Sequence, residues 1–188
     1  YLLAAAPAAG FVWLLTQLPH VFALQEALDA GRPIPASAAH LDRSVPWVPY
    51  LETELAFRMD VLAAFMSLIV LGVGALVLAY CARYFRRHEP KDAVFGAQLL
   101  AFAGAMFGLV TTDDLMVLYT FWEITSVLSF LLIGYSGHRI FARRSAITAL
   151  IVTTFGGLAM LAGLIMLAHF AGSWRISGVL EAAPALMA

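Results

Sequence analysis

Long apolar runs alternate with short polar stretches along this chain. Four runs, at about 57–84, 93–110, 114–135 and 145–168, are long enough to cross a bilayer as helices, and another occupies residues 1–24. A helix needs roughly 20 apolar residues to span the hydrocarbon core. The pattern therefore predicts an all-α, polytopic membrane protein with about five transmembrane helices.

The polar stretches predict the connections. Residues 25–56 contain four prolines and mostly acidic charges, which indicates a surface loop with room for a short hairpin. Pro19 is expected to kink or end the first helix. Residues 173–188 are expected to form a short surface tail helix with Ser177 as its N-cap. The GxxxG pattern at 104–108 favours close packing of the third helix against a neighbour.

The composition agrees with a membrane protein. The chain is 62% hydrophobic and 12% charged, whereas a soluble domain is nearer half apolar and a quarter charged. A net charge of −1 gives no basic face for nucleic acid. The single cysteine, Cys81, rules out a multi-cysteine metal site, and the five histidines show no metal-ligand spacing. We therefore expect no cofactor and no metal. Because the chain starts at Tyr1 without a methionine and ends without a polar tail, we also expect it to be a fragment of a longer protein.

The positive charges predict the orientation. The loops at 83–91 and 138–144 carry seven of the eleven basic residues: Arg83, Arg86, Arg87, Lys91, Arg139, Arg143 and Arg144. Strict alternation of five helices puts both loops on one side of the membrane. By the positive-inside rule that side is cytoplasmic, which leaves the 25–56 loop and the tail outside. We expect the membrane to be the cell (plasma) membrane.

One acid interrupts the run 114–135. Glu123 lies nine residues after Asp114, which is about 13 Å along a helix axis and close to the bilayer midplane. A charge at that depth costs roughly 2.5–3.5 kcal/mol, so such residues are rare and usually functional. The neutral form costs much less, so an acid there is suited to loading and unloading protons. We predict that Glu123 carries protons. The alternative is a neutral glutamate that only hydrogen-bonds a neighbouring helix.

Polar residues around Glu123 form the rest of the candidate site. Hydroxyl side chains able to hydrogen-bond a carboxylate or a water are expected to support it: Thr120, Thr125, Ser126 and Ser129. Candidates for entry or pairing lie near the helix ends: Asp60, Asp114 and His138. For Asp60 a capping or surface role is favoured. Asp113 is expected to be the N-cap of the following helix.

The run 113–134 resembles a known signature. Its Trp-Glu-Ile-Thr-Ser core at 122–126 is similar to the motif of the antiporter-like subunits shared by Mrp-type Na⁺/H⁺ antiporters and respiratory complex I. The stretches 57–60, 72–80 and 143–163 resemble other helices of that family. The resemblance covers about residues 45–180, and it implies that the chain is an N-terminal fragment of such a subunit.

The resemblance implies a function. Gly156-Gly157 points to the Mrp A subunit, which implies a component of a multi-subunit monovalent cation (Na⁺)/H⁺ antiporter, with other membrane subunits as partners. The family's intramembrane glutamate falls on Glu123. In the family it pairs with a lysine on a later helix, and Lys91, the only lysine here, lies in a loop. Asp114 stands where the family usually has Asn.

Two alternatives stay open at this stage. The chain is similar enough to complex I to be a proton-pumping membrane-arm subunit of an NADH–quinone oxidoreductase, although that family more often has Gly-Asp in place of Gly156-Gly157. The second alternative is a helical fragment that has no transport of its own, because it lacks the lysine half of the pair.

Overall fold

Five long helices dominate the structure, a computed structural model that describes residues 2–35, 37–48, 53–84, 90–136 and 140–186. Within these residues, five helices are long and apolar enough to cross a membrane. They are α1 (Leu2–Asp29), α2 (Val61–Tyr84), α3 (Pro90–Thr111), α4 (Leu115–Ile133) and α5 (Ile140–Ala171). The predicted all-α, multi-pass membrane fold is confirmed.

The helices pack side by side in chain order, with α1 on α2, α2 on α3, α3 on α4 and α4 on α5. Large apolar side chains cover their outward faces, and Leu76 and Phe155 are each 72% exposed. Helices that are apolar on all sides suit lipid or other helices better than water. The bundle therefore presents the surface of a membrane protein.

A small hairpin covers the end of the bundle at which α2 and α4 begin, here called the entry end. Strands β1 (Asp42–Val48) and β2 (Thr53–Arg58) pair antiparallel, with Asp42 opposite Arg58. The backbone N–H of Asp113 donates to the carbonyl of Ala56 at 2.8 Å, which ties the α3–α4 turn to the hairpin. The connector thus contains the short hairpin that its sequence allowed. This hairpin adds two β-strands to a mainly helical fold.

Helix α1 is longer than predicted. The sequence placed its end at residue 24, with a kink or stop at Pro19, but the helix continues through Pro19 to Asp29. A proline removes one N–H and is tolerated in membrane helices when packing holds both sides in place. Leu14 and Val21, on either side of Pro19, are fully buried in one apolar cluster. The helix ends before Gly31, whose φ of 58° suits glycine.

Three other helix boundaries also differ from prediction. Helix α2 begins at Val61 rather than residue 57, because Phe57 and Arg58 belong to β2. Helix α3 begins at Pro90 rather than residue 93, since proline fits the first helical position. Helix α5 begins at Ile140 rather than 145, which brings two arginines into its first turns.

The tail forms a sixth helix, α6 (Ile176–Leu186). It follows a turn at Gly172, whose φ is 68°. Its packing brings the end of α5 back to the start of α4, because Leu115, Ala168 and Val179 form one buried cluster. The predicted tail helix is therefore present, and it packs on the entry end.

Candidate functional site

Glu123 lies near the middle of α4, in the part of that helix that the sequence predicts to be deepest in the membrane. Its side chain is partly buried, and its Oε1 atom is shielded from solvent with no hydrogen-bond partner among the described residues. A buried acceptor without a donor costs about 1–3 kcal/mol and is uncommon in native structures. An unpartnered carboxylate oxygen in the middle of an apolar helix therefore marks a candidate functional site.

Tyr119 approaches the same carboxylate from one helical turn earlier. The spacing of four residues puts both side chains on one face of α4. The Tyr119 hydroxyl lies close enough to the Glu123 carboxylate to interact with its charge. Tyr119 is therefore the neighbour of the carboxylate on α4, while Oε1 has no hydrogen-bond partner among the described residues.

Helix α5 supplies the wall opposite Oε1. Gly157 is buried, and a Cβ atom added to it would overlap Glu123 Oε1. The same position would lie 3.8 Å from the Trp122 Nε1 atom. The carboxylate thus occupies space that exists because residue 157 has no side chain.

The predicted supporting hydroxyls lie on α4, but two of them use their protons locally. The Thr120 hydroxyl donates to the Met116 carbonyl at 2.8 Å, and the Thr125 hydroxyl donates to the Trp122 carbonyl at 2.7 Å. Such bonds to the preceding turn are common for threonine in helices. Ser126 is buried and Ser129 half-buried, and their support of Glu123 stays a prediction.

Asp114, not Asp113, is the N-cap of α4. Its Oδ1 atom accepts from the backbone N–H groups of Met116 and Val117 at 2.9 and 3.0 Å. Only 1% of Asp114 is exposed. Both acids precede the helix, and Asp113 was the predicted cap. The extended backbone at Asp114 decides in favour of Asp114. The geometry gives Asp114 a structural role rather than an accessible entry point.

Asp113 instead joins three elements. Its Oδ1 accepts from the Ser177 N–H at 2.9 Å and its Oδ2 from the Ser177 hydroxyl at 2.7 Å, so it caps α6 from a distance. The Ser177 cap predicted from sequence is therefore wrong. Asp113 Oδ2 also lies 3.8 Å from Arg58 and 3.5 Å from Arg175. Arg58 pairs in turn with Asp42 at 3.1 Å, which links the hairpin, α4 and α6.

The remaining entry candidates do not reach Glu123 in the described structure. Asp60 caps α2, because its Oδ1 accepts from the Ala63 N–H at 2.7 Å. This is the capping role that the sequence favoured. His138 lies outside the described residues, and its role stays a prediction.

A cavity of about 480 Å³ lies near the hairpin, between α1, α3 and α4. Its walls are mainly aromatic and aliphatic, with Trp13, Phe107 and Phe121 among them, and Arg58 contributes charge. Glu123 is not one of its lining residues. The cavity therefore belongs to the entry end and not to the carboxylate site.

Family comparisons place these features in context. The family described as "NADH:quinone oxidoreductase/Mrp antiporter, TM" matches residues 112–188, which include Glu123 and Gly157. The family described as "NADH-Ubiquinone oxidoreductase (complex I), chain 5 N-terminus" matches residues 47–95. The chain belongs to this antiporter-like family.

Similar members of the antiporter-like family are antiporter components by name. The "Probable K(+)/H(+) antiporter" A/B subunit of Rhizobium meliloti is 42% identical over 82% of this chain and 15% of its own length. The "Na(+)/H(+) antiporter" A subunit of Alkalihalophilus pseudofirmus is 37% identical over 79% of this chain and 18% of its own. The "Putative antiporter subunit mnhA2" of Staphylococcus aureus is 34% identical over 96% of this chain and 21% of its own length.

Solved structures of the family show the same helical arrangement. The Mrp complex from Dietzia sp. DQ12-45-1b matches with a TM-score of 0.70 and 31% identity, over 96% of this chain and 21% of the other. Respiratory complex I from Thermus thermophilus has a TM-score of 0.60 at 24% identity, which shows a shared fold. The chain thus spans about a fifth or less of the length of its named antiporter relatives.

Sequence reasoning found the acid of this antiporter-like chain but missed part of its surroundings. Gly157 was a family marker in the sequence. Nothing nearby along the chain pointed to its contact with Glu123, which joins α5 to α4. Tyr119 was detectable, because it lies four residues before the acid. The network around Asp113 depends on Arg58 and Ser177, which are distant in sequence.

Proposed function

We propose that this chain is part of the A subunit of a multi-subunit Mrp-type antiporter that exchanges a monovalent cation, Na⁺, for H⁺. In this proposal it is a transporter part and not an enzyme. Glu123 is the intramembrane acid that binds and releases the proton. Other membrane subunits of the complex, the bilayer, Na⁺ and H⁺ are its partners.

The observation that carries the proposal is the state of Glu123. It is a carboxylate in the middle of an apolar helix, and its Oε1 is buried with no donor among the residues that the structure describes. A charge at that depth costs several kcal/mol in a membrane, and ionisable residues there are rare and usually functional. The names of the antiporter relatives and the match to the Mrp complex support the exchange of a cation for a proton.

The orientation belongs to the proposal as well. The loops 83–91 and 138–144 face the cytoplasm, and the hairpin and α6 face outside. The concentration of basic residues in the two loops supports this assignment. The lysine that pairs with Glu123 in the family would come from a later helix of the full-length protein.

Replacement of Glu123 by Gln in the full-length complex tests the proposal. Gln keeps the shape and removes the titratable group, so we expect Na⁺/H⁺ exchange in membrane vesicles to fall to background. The control is Glu181→Gln, the same chemical change on the exposed side of α6, which should retain exchange. Comparison of Na⁺ with K⁺ in the same vesicles tests the cation.

The complex I alternative predicts a different outcome for the same material. The full-length protein would then co-purify with flavin and iron–sulfur subunits and sustain NADH oxidation. Gly156-Gly157 argues against it, because complex I subunits more often carry an acid at the second position. Wild-type exchange in Glu123→Gln would reject the proton-carrying role whichever complex holds the chain.

A further inference from the structure

We propose that Gly157 is a positioning residue for the proton-carrying acid: the missing side chain on α5 forms the space in which the Glu123 carboxylate lies. The inference rests on the proposed function, because positioning matters only if Glu123 carries the proton. It assigns a specific task to a residue that otherwise serves as a family marker.

The steric argument is direct. A Cβ atom on Gly157 would overlap Glu123 Oε1, at a separation that real Cβ atoms do not adopt. The clash is with the end of a flexible side chain, so the carboxylate would swing away while the helices stay in place. The fold would therefore tolerate alanine at this position, and the carboxylate would move away from residue 157.

The surroundings of the carboxylate explain why the displacement matters. Tyr119 lies near the carboxylate on α4, while Oε1 faces Gly157 and has no donor within the described part of the chain. The free oxygen is the one available to receive a proton, and Gly157 lies directly beside it. A methyl group there would push Oε1 out of the α4–α5 interface and change its access to protons.

The neighbouring glycine provides a matched control. A Cβ atom on Gly156 would meet none of the described residues within 4 Å. Both positions lie on α5, and both substitutions raise helix propensity by the same amount. Gly156→Ala therefore reproduces the change in helix propensity without the contact with Glu123.

The experiment measures cation/proton exchange in vesicles containing the full-length complex. We expect Gly157→Ala to lower exchange about tenfold to a hundredfold, because misplacing a reacting group by about 1 Å has effects of that size. Gly156→Ala should stay within about twofold, below the scale at which positioning acts. The amount of assembled complex in the membranes should be equal for both variants.

A double-mutant cycle separates positioning from loss of structure. Aspartate at 123 is one methylene shorter and does not reach the space beside residue 157. Glu123→Asp alone should reduce exchange, and adding Gly157→Ala to it should reduce exchange by less than about twofold more, which is the non-additivity expected of groups in contact. A merely structural effect of the alanine would lower exchange equally in both backgrounds.

A second readout does not depend on turnover. Membrane-soluble carbodiimides react with protonated carboxyl groups, so the labelling rate of Glu123 reports its surroundings. We expect Gly157→Ala to change that rate and Gly156→Ala to leave it unchanged. Unchanged exchange and labelling in Gly157→Ala, with exchange abolished in Glu123→Gln, would overturn the positioning role alone. Retained exchange in Glu123→Gln would overturn the proposed function itself.

Discussion

Asp114 is the acid that holds the start of α4 in place. It is buried, it accepts two backbone N–H groups at the N-terminus of the helix, and the N–H of Glu54 also approaches its Oδ2 at 3.4 Å. N–H groups in the first turn have no partner within the helix, so a capping oxygen is worth most where water is excluded. This residue therefore stabilises the helix that carries Glu123.

Removal of the Asp114 cap should destabilise the protein, and a capping substitute should not. Asp114→Ala should cost about 1 kcal/mol, within the roughly 0.5–2 kcal/mol range for lost N-caps. Asn caps helices about as well as Asp, so Asp114→Asn should retain most of the stability. The measurement is the thermal unfolding midpoint of the detergent-solubilised full-length protein. Equal midpoints for the Ala and Asn variants would contradict the capping role.

At this scale the sequence was informative where chemistry is local. Glu123 could be predicted because a lone acid in an apolar run is anomalous by itself. The choice between Asp113 and Asp114 as the cap could not be predicted, because both precede α4 and the backbone angles decide. The partners of Asp113 and Glu123 on other elements could not be predicted either, since Ser177 and Gly157 approach them only in the folded chain.

At the scale of the elements, the α3–α4 contact depends on one glycine of the GxxxG pair. A Cβ atom on Gly108 would overlap the Phe121 ring, whereas one on Gly104 would meet nothing within 4 Å. Small residues let membrane helices approach closely. Gly108 therefore sets the distance between α3 and the helix that carries Glu123.

The two glycines should respond differently to alanine. Gly108→Ala should destabilise the bundle by about 1–3 kcal/mol, because overpacking forces a ring or a helix to move. Gly104→Ala should be neutral or gain up to about 1 kcal/mol from helix propensity. Thermal unfolding of the full-length protein in detergent compares them. A larger loss for Gly104→Ala would show that α3 packs through its other face.

Hydropathy located the helices well but missed several of their ends. The apolar runs predicted five spans, and five are present in the described structure. The errors fall where apolar pattern and local chemistry disagree. Phe57 continues the apolar run of α2 but pairs in a strand, and Pro19 interrupts α1 in sequence without ending it. Arg143 and Arg144 are polar yet helical.

For the whole molecule, the proposed orientation determines from which side of the membrane protons would reach Glu123. Arg32, near the end of α1, is exposed with 60% of its side chain accessible, and Arg144 is exposed in the first turns of α5. The positive-inside rule assigns these two positions to opposite sides. Their accessibility from each side tests the proposed topology.

Single cysteines can report this topology in the full-length protein after Cys81→Ala removes the chain's own thiol. In intact cells, a membrane-impermeant maleimide should label Arg32→Cys. It should label Arg144→Cys only after permeabilisation. Labelling in the opposite order would contradict the proposed orientation and the side from which protons are proposed to reach Glu123.

The most direct test of the central claim is to observe the Glu123 proton itself. Infrared difference spectra of the full-length complex, recorded before and after Na⁺ addition, detect a protonated carboxyl group that loses its proton. We predict that Na⁺ removes a carboxylic C=O band in the wild type and that the change is missing in Glu123→Gln. The same band change in the Gln variant would show that another group carries the proton.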